Sequence, residues 1–345
     1  MKNSNYNLED ASKREKLKLA TKSKMIRTKS AVSHKFTRGR ALSVIGKSVL
    51  VETEDDNNTI YNCVVSGRVT SPHKNTNIVA AGDIVHFVID DNSENIASGR
   101  IIEIENRIRK FSRIMPGKGY SEHVIAANID NILICSSVFD PVYNKRLIDR
   151  LLVGAELGLL KGAICINKVD LTDDLELFED DLSIYRKLNI PVFFTSVSKN
   201  IGIDTLKDFL DGSSTLFFGQ SGVGKSSLIN AITGCEVQRI REVSERSGKG
   251  QHTTSFVKII KSDNSYIVDS PGIREFALWD IDKLNLPFLF HDFYDYYKDC
   301  KYNPCSHIHE PDCAVIDALE NDLIDAERYQ SYVNIYNTLE DNIYL

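Results

Sequence analysis

The sequence predicts a multidomain α/β chain: a small N-terminal β-barrel, a parallel sheet with helices on both faces, and a helical, metal-binding C-terminal region. Three observations predict it. Short β-rich runs crowd residues 41–104, strands apolar on both faces alternate with helices across residues 131–210, and three cysteines and a histidine cluster within residues 300–313. At 345 residues, with 42% apolar and 26% charged side chains, the composition is that of a soluble globular chain able to bury a sizeable core. No stretch approaches about 18 uncharged apolar residues and the N-terminus is polar, so neither a membrane span nor a secretory signal is expected, and the expected location is cytoplasmic. Seven cysteines, an odd number, argue for thiols and a metal site over a disulfide framework.

Residues 1–40 hold twelve Lys or Arg against three acidic residues, a charge of +9 in a chain of net charge −6, so the remainder carries −15. Such an arm suits a polyanion such as nucleic acid; a solvated tail without a partner is the alternative. Residues 1–37 therefore read as a basic flexible extension, with a transient helix over 9–20 and order from near Phe36.

The barrel domain is expected over residues 38–113. Runs at 41–51, 59–66, 83–89 and 98–104 are separated by turn residues at 55–58 and 90–95. Five or so short strands in about 75 residues suggest an OB-fold, the commonest RNA-binding barrel of that size; an SH3-like barrel fits the pattern nearly as well. Residues 115–123 read as a linker into a domain spanning 114–280. There, strands at 131–138, 162–166 and 191–195 alternate with helices at 145–157, 174–188 and 203–210, which implies a parallel sheet buried on both sides. Residues 281–345 hold an aromatic-rich stretch, the cysteine cluster and a long helical pattern from 314 to about 339.

The chemistry concentrates after that alternation. The apolar strand Leu216-Phe217-Phe218 stops at Gly219, and Gln220-Ser221-Gly222-Val223-Gly224 leads into an amphipathic segment opening Lys225-Ser226-Ser227. Strand, tight loop and helix in this order are the P-loop layout. The glycines let the backbone curl until its N–H groups and the helix N-terminus face phosphate oxygens. Lys225 would reach the β- and γ-phosphates, serving catalysis as well as binding, and the Ser226 hydroxyl would enter the shell of a Mg²⁺. A glycine-rich turn between packed elements is the plain alternative.

Asn167-Lys168-Val169-Asp170 follows a strand directly, at the end where open α/β sheets bind ligands. The Asp170 carboxylate can accept from the N1–H and N2 amino groups of guanine, a pattern adenine lacks, while Asn167 pins the loop and Lys168 lays its stem along the ring. Such a site can reject adenine by ~10⁴. Thr195-Ser196-Val197-Ser198 ends the next strand and can bring a backbone N–H, that of Val197, to guanine O6. Downstream, Gly248-Lys249-Gly250-Gln251-His252-Thr253-Thr254 can supply a threonine hydroxyl to Mg²⁺ and cover the γ-phosphate; Thr254 is preferred and Thr253 stays open. Asp269-Ser270-Pro271-Gly272 ends another strand, with Asp269 placed to hold Mg²⁺ through water and the Gly272 amide to sense the γ-phosphate.

Cys300-x4-Cys305-x-His307-x5-Cys313 offers three thiolates and an imidazole, the donor set of tetrahedral structural zinc, with His309 an alternative donor. Four protein ligands leave no open position, so catalysis at this metal is not expected.

Five guanine-nucleotide motifs are thus present, but base recognition precedes the P-loop, a circular permutation. With the barrel before them and the cysteine cluster after, the chain resembles the RsgA (YjeQ) family of circularly permuted GTPases over residues 38–340. The resemblance implies an OB-fold, a permuted GTPase domain and a zinc domain, with GTP, Mg²⁺ and one structural Zn²⁺. It also implies a late assembly factor of the small ribosomal subunit, whose GTP hydrolysis that subunit stimulates. By the resemblance, residues 219–226 are the P-loop, His252-Thr253-Thr254 the first switch, residues 269–272 the second and residues 167–170 the base motif, and Cys300, Cys305, His307 and Cys313 hold the zinc. The departures are the long basic extension and Val197, where GTPases more often have alanine. Ile273 stands where Ras-like enzymes carry a glutamine that orients the attacking water, so either His252 or a partner supplies that contact, and the intrinsic rate should be low. The expected partners are the small subunit and its rRNA, for a monomer with no DNA or membrane contact. Rival readings are a GTPase of the large subunit and a nucleotide-sensing RNA-binding module with little catalysis.

Overall fold

The computed structural model describes residues 36–54, 58–69, 75–90, 97–115, 121–234, 256–272 and 276–339. The basic arm before Phe36, together with His252, Thr253, Thr254 and Ile273, lies outside them.

Short runs of β-branched residues with alternating burial build the first layer. Strands β1 (Thr37–Ile45), β2 (Ser48–Thr53), β3 (Ile60–Val65), β4 (Ile84–Ile89) and β5 (Ser98–Ile104) pair in the order β1-β2-β3-β5-β4, and β4 returns to β1. The β3–β5 pair is parallel and the others are antiparallel. This closed, OB-like barrel has no free edge and is filled by Ala41, Val49, Val51, Cys63, Val85, Phe87 and Ile101. The single run expected over 41–51 is two strands, because Gly46 at φ +61° turns the chain.

A hairpin follows where a linker was expected: β6 (Lys110–Ile114) pairs with β7 (Glu122–Ala127), and the Met115 N–H donates to the Ser121 carbonyl. Five- and six-residue strands interrupted by charge carry little pattern of their own; what holds them is Phe111, stacked on Phe276 at 5.0 Å and edge-on to Phe218 at 4.8 Å.

The second sheet contains β8 (Asn131–Ser137), β9 (Lys161–Asn167), β10 (Val192–Phe194), β11 (Ser214–Gly219), β12 (Lys258–Ser262) and β13 (Ser265–Asp269). Its order is β10-β9-β8-β11-β13-β12, parallel except for β12. Along β8, Ile132 and Ile134 enter one core while Leu133 and Cys135 enter the other; along β11, Leu216 and Phe218 oppose Phe217. Burial on both faces is why these strands read as unbroken apolar runs. The barrel is continuous with this sheet through Ser43 of β1 opposite Lys258 of β12, and the Tyr266 hydroxyl donates to Glu52 of the barrel at 3.0 Å.

Seven α-helices are described: α1 (Lys145–Leu157), α2 (Leu175–Asp181), α3 (Ser183–Lys187), α4 (Ile203–Leu210), α5 (Lys225–Thr233), α6 (Ala314–Glu320) and α7 (Ala326–Thr338). Asn144 caps α1 by accepting from the Leu147 N–H. The helix expected over 174–188 breaks at Leu182, whose side chain is pulled into the core. The C-terminal pattern divides likewise, with Asp322 at φ +56° and Asp325 capping α7. Helix α7 and the turns before it bury Phe290, Phe293, Tyr332 and Ile335 in the same core as Ile148 and Leu151 of α1. Among the described residues no helix is long and apolar enough to cross a membrane.

Candidate functional site

The end of β11 runs close against β8. A Cβ on Gly219 would lie 2.0 Å from the Cys135 carbonyl oxygen of β8, so only glycine lets the strand leave the sheet there. The loop then passes Gly222 and Gly224 at φ +88° and +92° and enters α5 at Lys225. Lys225 is buried, and its ammonium donates to the Gly219 and Gln220 carbonyls at 2.8 and 2.9 Å, tying the helix start back to the loop. Ser226 and Ser227 open the helix, while Ser221 and Gly222 stand exposed at the rim.

Asn167 ties this loop to the base motif. It is 3% exposed, its Nδ2 donates to the Val223 carbonyl at 3.0 Å, and its Oδ1 accepts from Thr195 Oγ1 at 3.1 Å. A Cβ on Gly224 would meet that same Nδ2 at 2.3 Å, so the two motifs interlock. Lys168, left-handed at φ +62°, sends its ammonium to the Asp140 carbonyl at 2.5 Å. Asp170 is exposed, and its carboxylate accepts from Ser196 Oγ at 2.5 Å and Ser198 Oγ at 2.7 Å. Those two hydroxyls, Ser196 first, hold the Asp170 carboxyl below its usual range, so it stays an acceptor. The Ser196 N–H is spent on the Ile201 carbonyl, whereas among the described residues the Val197 N–H has no protein acceptor and remains available to a ligand.

Residues 269–272, expected as the second switch, lie on the other side of the loop. Asp269 is buried at the end of β13, level with Phe217 of β11, and Ser270 Oγ donates to the Phe217 carbonyl at 2.7 Å. A Cβ on Gly272 would sit 2.9 Å from the Ser221 amide nitrogen, so this segment lies directly on the P-loop. Burial drives the Cys135 thiol well up, the neighbouring Cys165 adding to the shift, Lys225 opposing it and Asp269 adding again. The expected nucleotide-site residues that the structure describes therefore lie at or follow the C-terminal ends of β9, β10, β11 and β13. Sequence reasoning passed over Thr195 and Ser198 as individual contributors. Serine at two alternate positions after a strand was the available signal, and only the fold shows both hydroxyls on one carboxylate.

Well downstream of the P-loop, the four expected metal donors converge. Their ligating atoms all lie within 4.8 Å of one another, with Cys300 Sγ to Cys313 Sγ 3.8 Å, Cys305 Sγ to Cys313 Sγ 3.7 Å, and His307 Nδ1 to Cys313 Sγ 3.3 Å. A tetrahedron with bonds of about 2.3 Å to sulfur and 2.0 Å to nitrogen requires separations of about 3.5–3.8 Å, so the set fits zinc. His307 rather than His309 is the histidine of the cluster. Burial lowers the His307 ring and pushes the Cys305 thiol up to about 12, so the imidazole is neutral and the thiolates need a cation to hold them. Outside the donors, Tyr329 and Tyr332 hydroxyls donate to the His307 and Ser306 carbonyls. Glu310 accepts from the Ser306 N–H and hydroxyl, both at 2.8 Å. Burial opposes the Glu310 charge, yet these hydrogen bonds hold its carboxyl at about 2.

Comparison with known proteins matches residues 104–279 to the RsgA GTPase family. The chain belongs to that family. It is 38% identical over 308 residues to the small ribosomal subunit biogenesis GTPase RsgA of Chlorobaculum parvum, covering 88% of this chain and 98% of the relative. The crystal structure of YjeQ from Thermotoga maritima superposes with a TM-score of 0.68 at 30% identity, covering 88% of this chain and 98% of that one. YloQ, a circularly permuted GTPase, shares the fold with a TM-score of 0.66 at 24% identity, over 91% and 98% of the two chains. As an RsgA-family member the chain is a circularly permuted GTP hydrolase, and that activity implies guanine nucleotide and Mg²⁺.

Proposed function

We propose that the chain is a late assembly factor of the small ribosomal subunit, that the subunit stimulates its GTP hydrolysis, and that hydrolysis drives release. The observation that carries this reading is the Asn167 junction, which ties the base loop to the P-loop; the names of the relatives supply the partner. In this reading Asp170 reads the guanine N1–H and N2 amino edge, the Val197 N–H meets O6, and Lys168 covers the ring. Lys225 turns from the loop carbonyls to the β- and γ-phosphates, as the turns of Gly222 and Gly224 offer backbone N–H groups to them. Ser226, Asp269 and a switch threonine, Thr254 or Thr253, would hold Mg²⁺, which neutralises charge on the phosphates. Orientation of the water falls to His252 or to the subunit, since the Ile273 side chain offers no polar atom. Cys300, Cys305, His307 and Cys313 would hold one structural zinc.

A physical path supports the coupling. β12 lies between the two switches in sequence and pairs with the barrel strand β1, while Tyr266 of β13 bonds to Glu52. On the other side, the second switch runs into Phe276, wedged between Phe111 and Phe218. Movement at the γ-phosphate therefore strains contacts to both flanking parts. The remaining elements of the reading are a cytoplasmic monomer that meets rRNA and neither DNA nor membrane. Measuring GTP turnover with small subunits, with large subunits and with neither tests it. Stimulation by small subunits alone is expected; stimulation by large subunits, or no turnover with either, overturns it in favour of a large-subunit factor or a nucleotide-sensing RNA-binding module.

A further inference from the structure

We infer that Ser198 is a specificity-determining positioning residue: together with Ser196 it fixes the plane of the Asp170 carboxylate so that both oxygens face the N1–H and N2 amino groups of a guanine base. The inference rests on the base-pocket reading given above and adds to it a residue that the pocket does not obviously require.

A carboxylate on an exposed side chain turns broadly about its last torsion. One hydrogen bond fixes one oxygen and leaves the plane to swing about that contact. Here each oxygen has its own hydroxyl donor, Ser196 on Oδ1 and Ser198 on Oδ2. Ser196 is itself held, because its Oγ also accepts from the Lys199 N–H at 3.2 Å and its backbone N–H is paired with Ile201. The two hydroxyl oxygens lie 3.0 Å apart, and since each has a single proton and the carboxylate is the stronger acceptor, both point at Asp170. Every carboxylate oxygen keeps a further lone pair for the base. The clamp therefore leaves acceptor capacity intact while removing rotational freedom, which favours the ligand that uses both oxygens. Guanine uses both; hypoxanthine, lacking the N2 amino group, uses one.

The experiment measures GDP, IDP and XDP dissociation constants by competition against a fluorescent GDP on the full chain and three variants. Ser198 is exposed, so Ser198→Ala creates no cavity and its melting temperature should match the parent. It should shrink the GDP-over-IDP preference by about fivefold, chiefly through weaker GDP binding, and Ser198→Thr, which keeps the hydroxyl, should restore it. Equal weakening of GDP and IDP, or no change in either, overturns the inference. Asp170→Asn separates the two levels, because its amide can donate to the xanthine carbonyl where guanine carries its amino group. If that variant turns to XDP while Ser198→Ala leaves the ratio intact, only the role of Ser198 falls. If it keeps its guanine preference, the base-pocket reading falls as well.

Discussion

Replacing Arg328 by alanine should cost the protein about 3–5 kcal/mol, because it strands two buried carboxylates. Arg328 lies on α7, Asp149 on α1 and Asp292 on the turn between the second switch and the metal cluster, and their side chains are 5%, 1% and 4% exposed. The guanidinium donates to Asp149 at 2.7 Å and to both Asp292 oxygens at 2.7 and 2.9 Å, and lies 5.2 Å above the Phe290 ring. Tyr185 donates to the same Asp149 oxygen at 2.9 Å. Burial already raises the Asp149 carboxyl above its usual value despite Arg328, so without the arginine that group cannot remain both buried and ionised. The exposed Lys301–Asp312 pair, 57% and 64% exposed, gives the contrast: breaking it should cost no more than about 1 kcal/mol. Urea unfolding at neutral pH, followed by circular dichroism, reads both losses. A raised folded-state pKa means that the folded protein binds the extra proton, so the deficit of Arg328→Ala should shrink as pH falls from 7 towards 5. A loss below about 1 kcal/mol, or a deficit that grows on acidification, would refute the reasoning and reduce the network to surface-like value.

Gly224→Ala should weaken GDP binding by more than tenfold, since its Cβ would displace Asn167; Gly234→Ala, at φ +67° with nothing within 4 Å, should leave binding unchanged and cost only about 1 kcal/mol of backbone strain. Purified protein should carry about one zinc per chain; Cys305→Ala should lose it and expose α6 and α7 to protease before the parallel sheet, and a protected C-terminal region after complete chelation would contradict this. His291 is raised by its hydrogen bond to Glu156, 3.2 Å away, against burial and the Arg328 charge and helped by Asp292. A raised histidine stabilises fully below its unfolded pKa of about 6.5 and loses that contribution as pH climbs through the folded value, so stability should fall by up to about 1 kcal/mol above neutrality, and Glu156→Gln should abolish the step. A non-hydrolysable GTP analogue should tighten small-subunit binding at least about tenfold over GDP, about 1.4 kcal/mol of coupling; equal affinities would exclude a nucleotide-driven release.

By itself the sequence determined the fold class, the motif order and which cysteines and histidine would cluster as candidate metal donors, because each rests on local chemistry. Glycines that permit a phosphate-facing turn, a carboxylate spaced from an asparagine, and sulfur donors crowded within 14 residues are written in neighbouring positions. Continuous apolar runs such as Ile132 to Cys135 announced a sheet buried on both faces. The β6–β7 hairpin escaped notice because its stability comes from Phe111 meeting Phe218 and Phe276, partners more than 100 residues away. The helix break at Leu182 is likewise a tertiary choice, in which core burial outweighs local propensity. Nothing in the local pattern pairs Arg328 with Asp149, and no spacing rule places Ser198 on the free oxygen of Asp170. Local spacing encodes which groups can do the chemistry; long-range packing decides how tightly each is held, since the energy of a buried contact depends on what the rest of the chain brings to it.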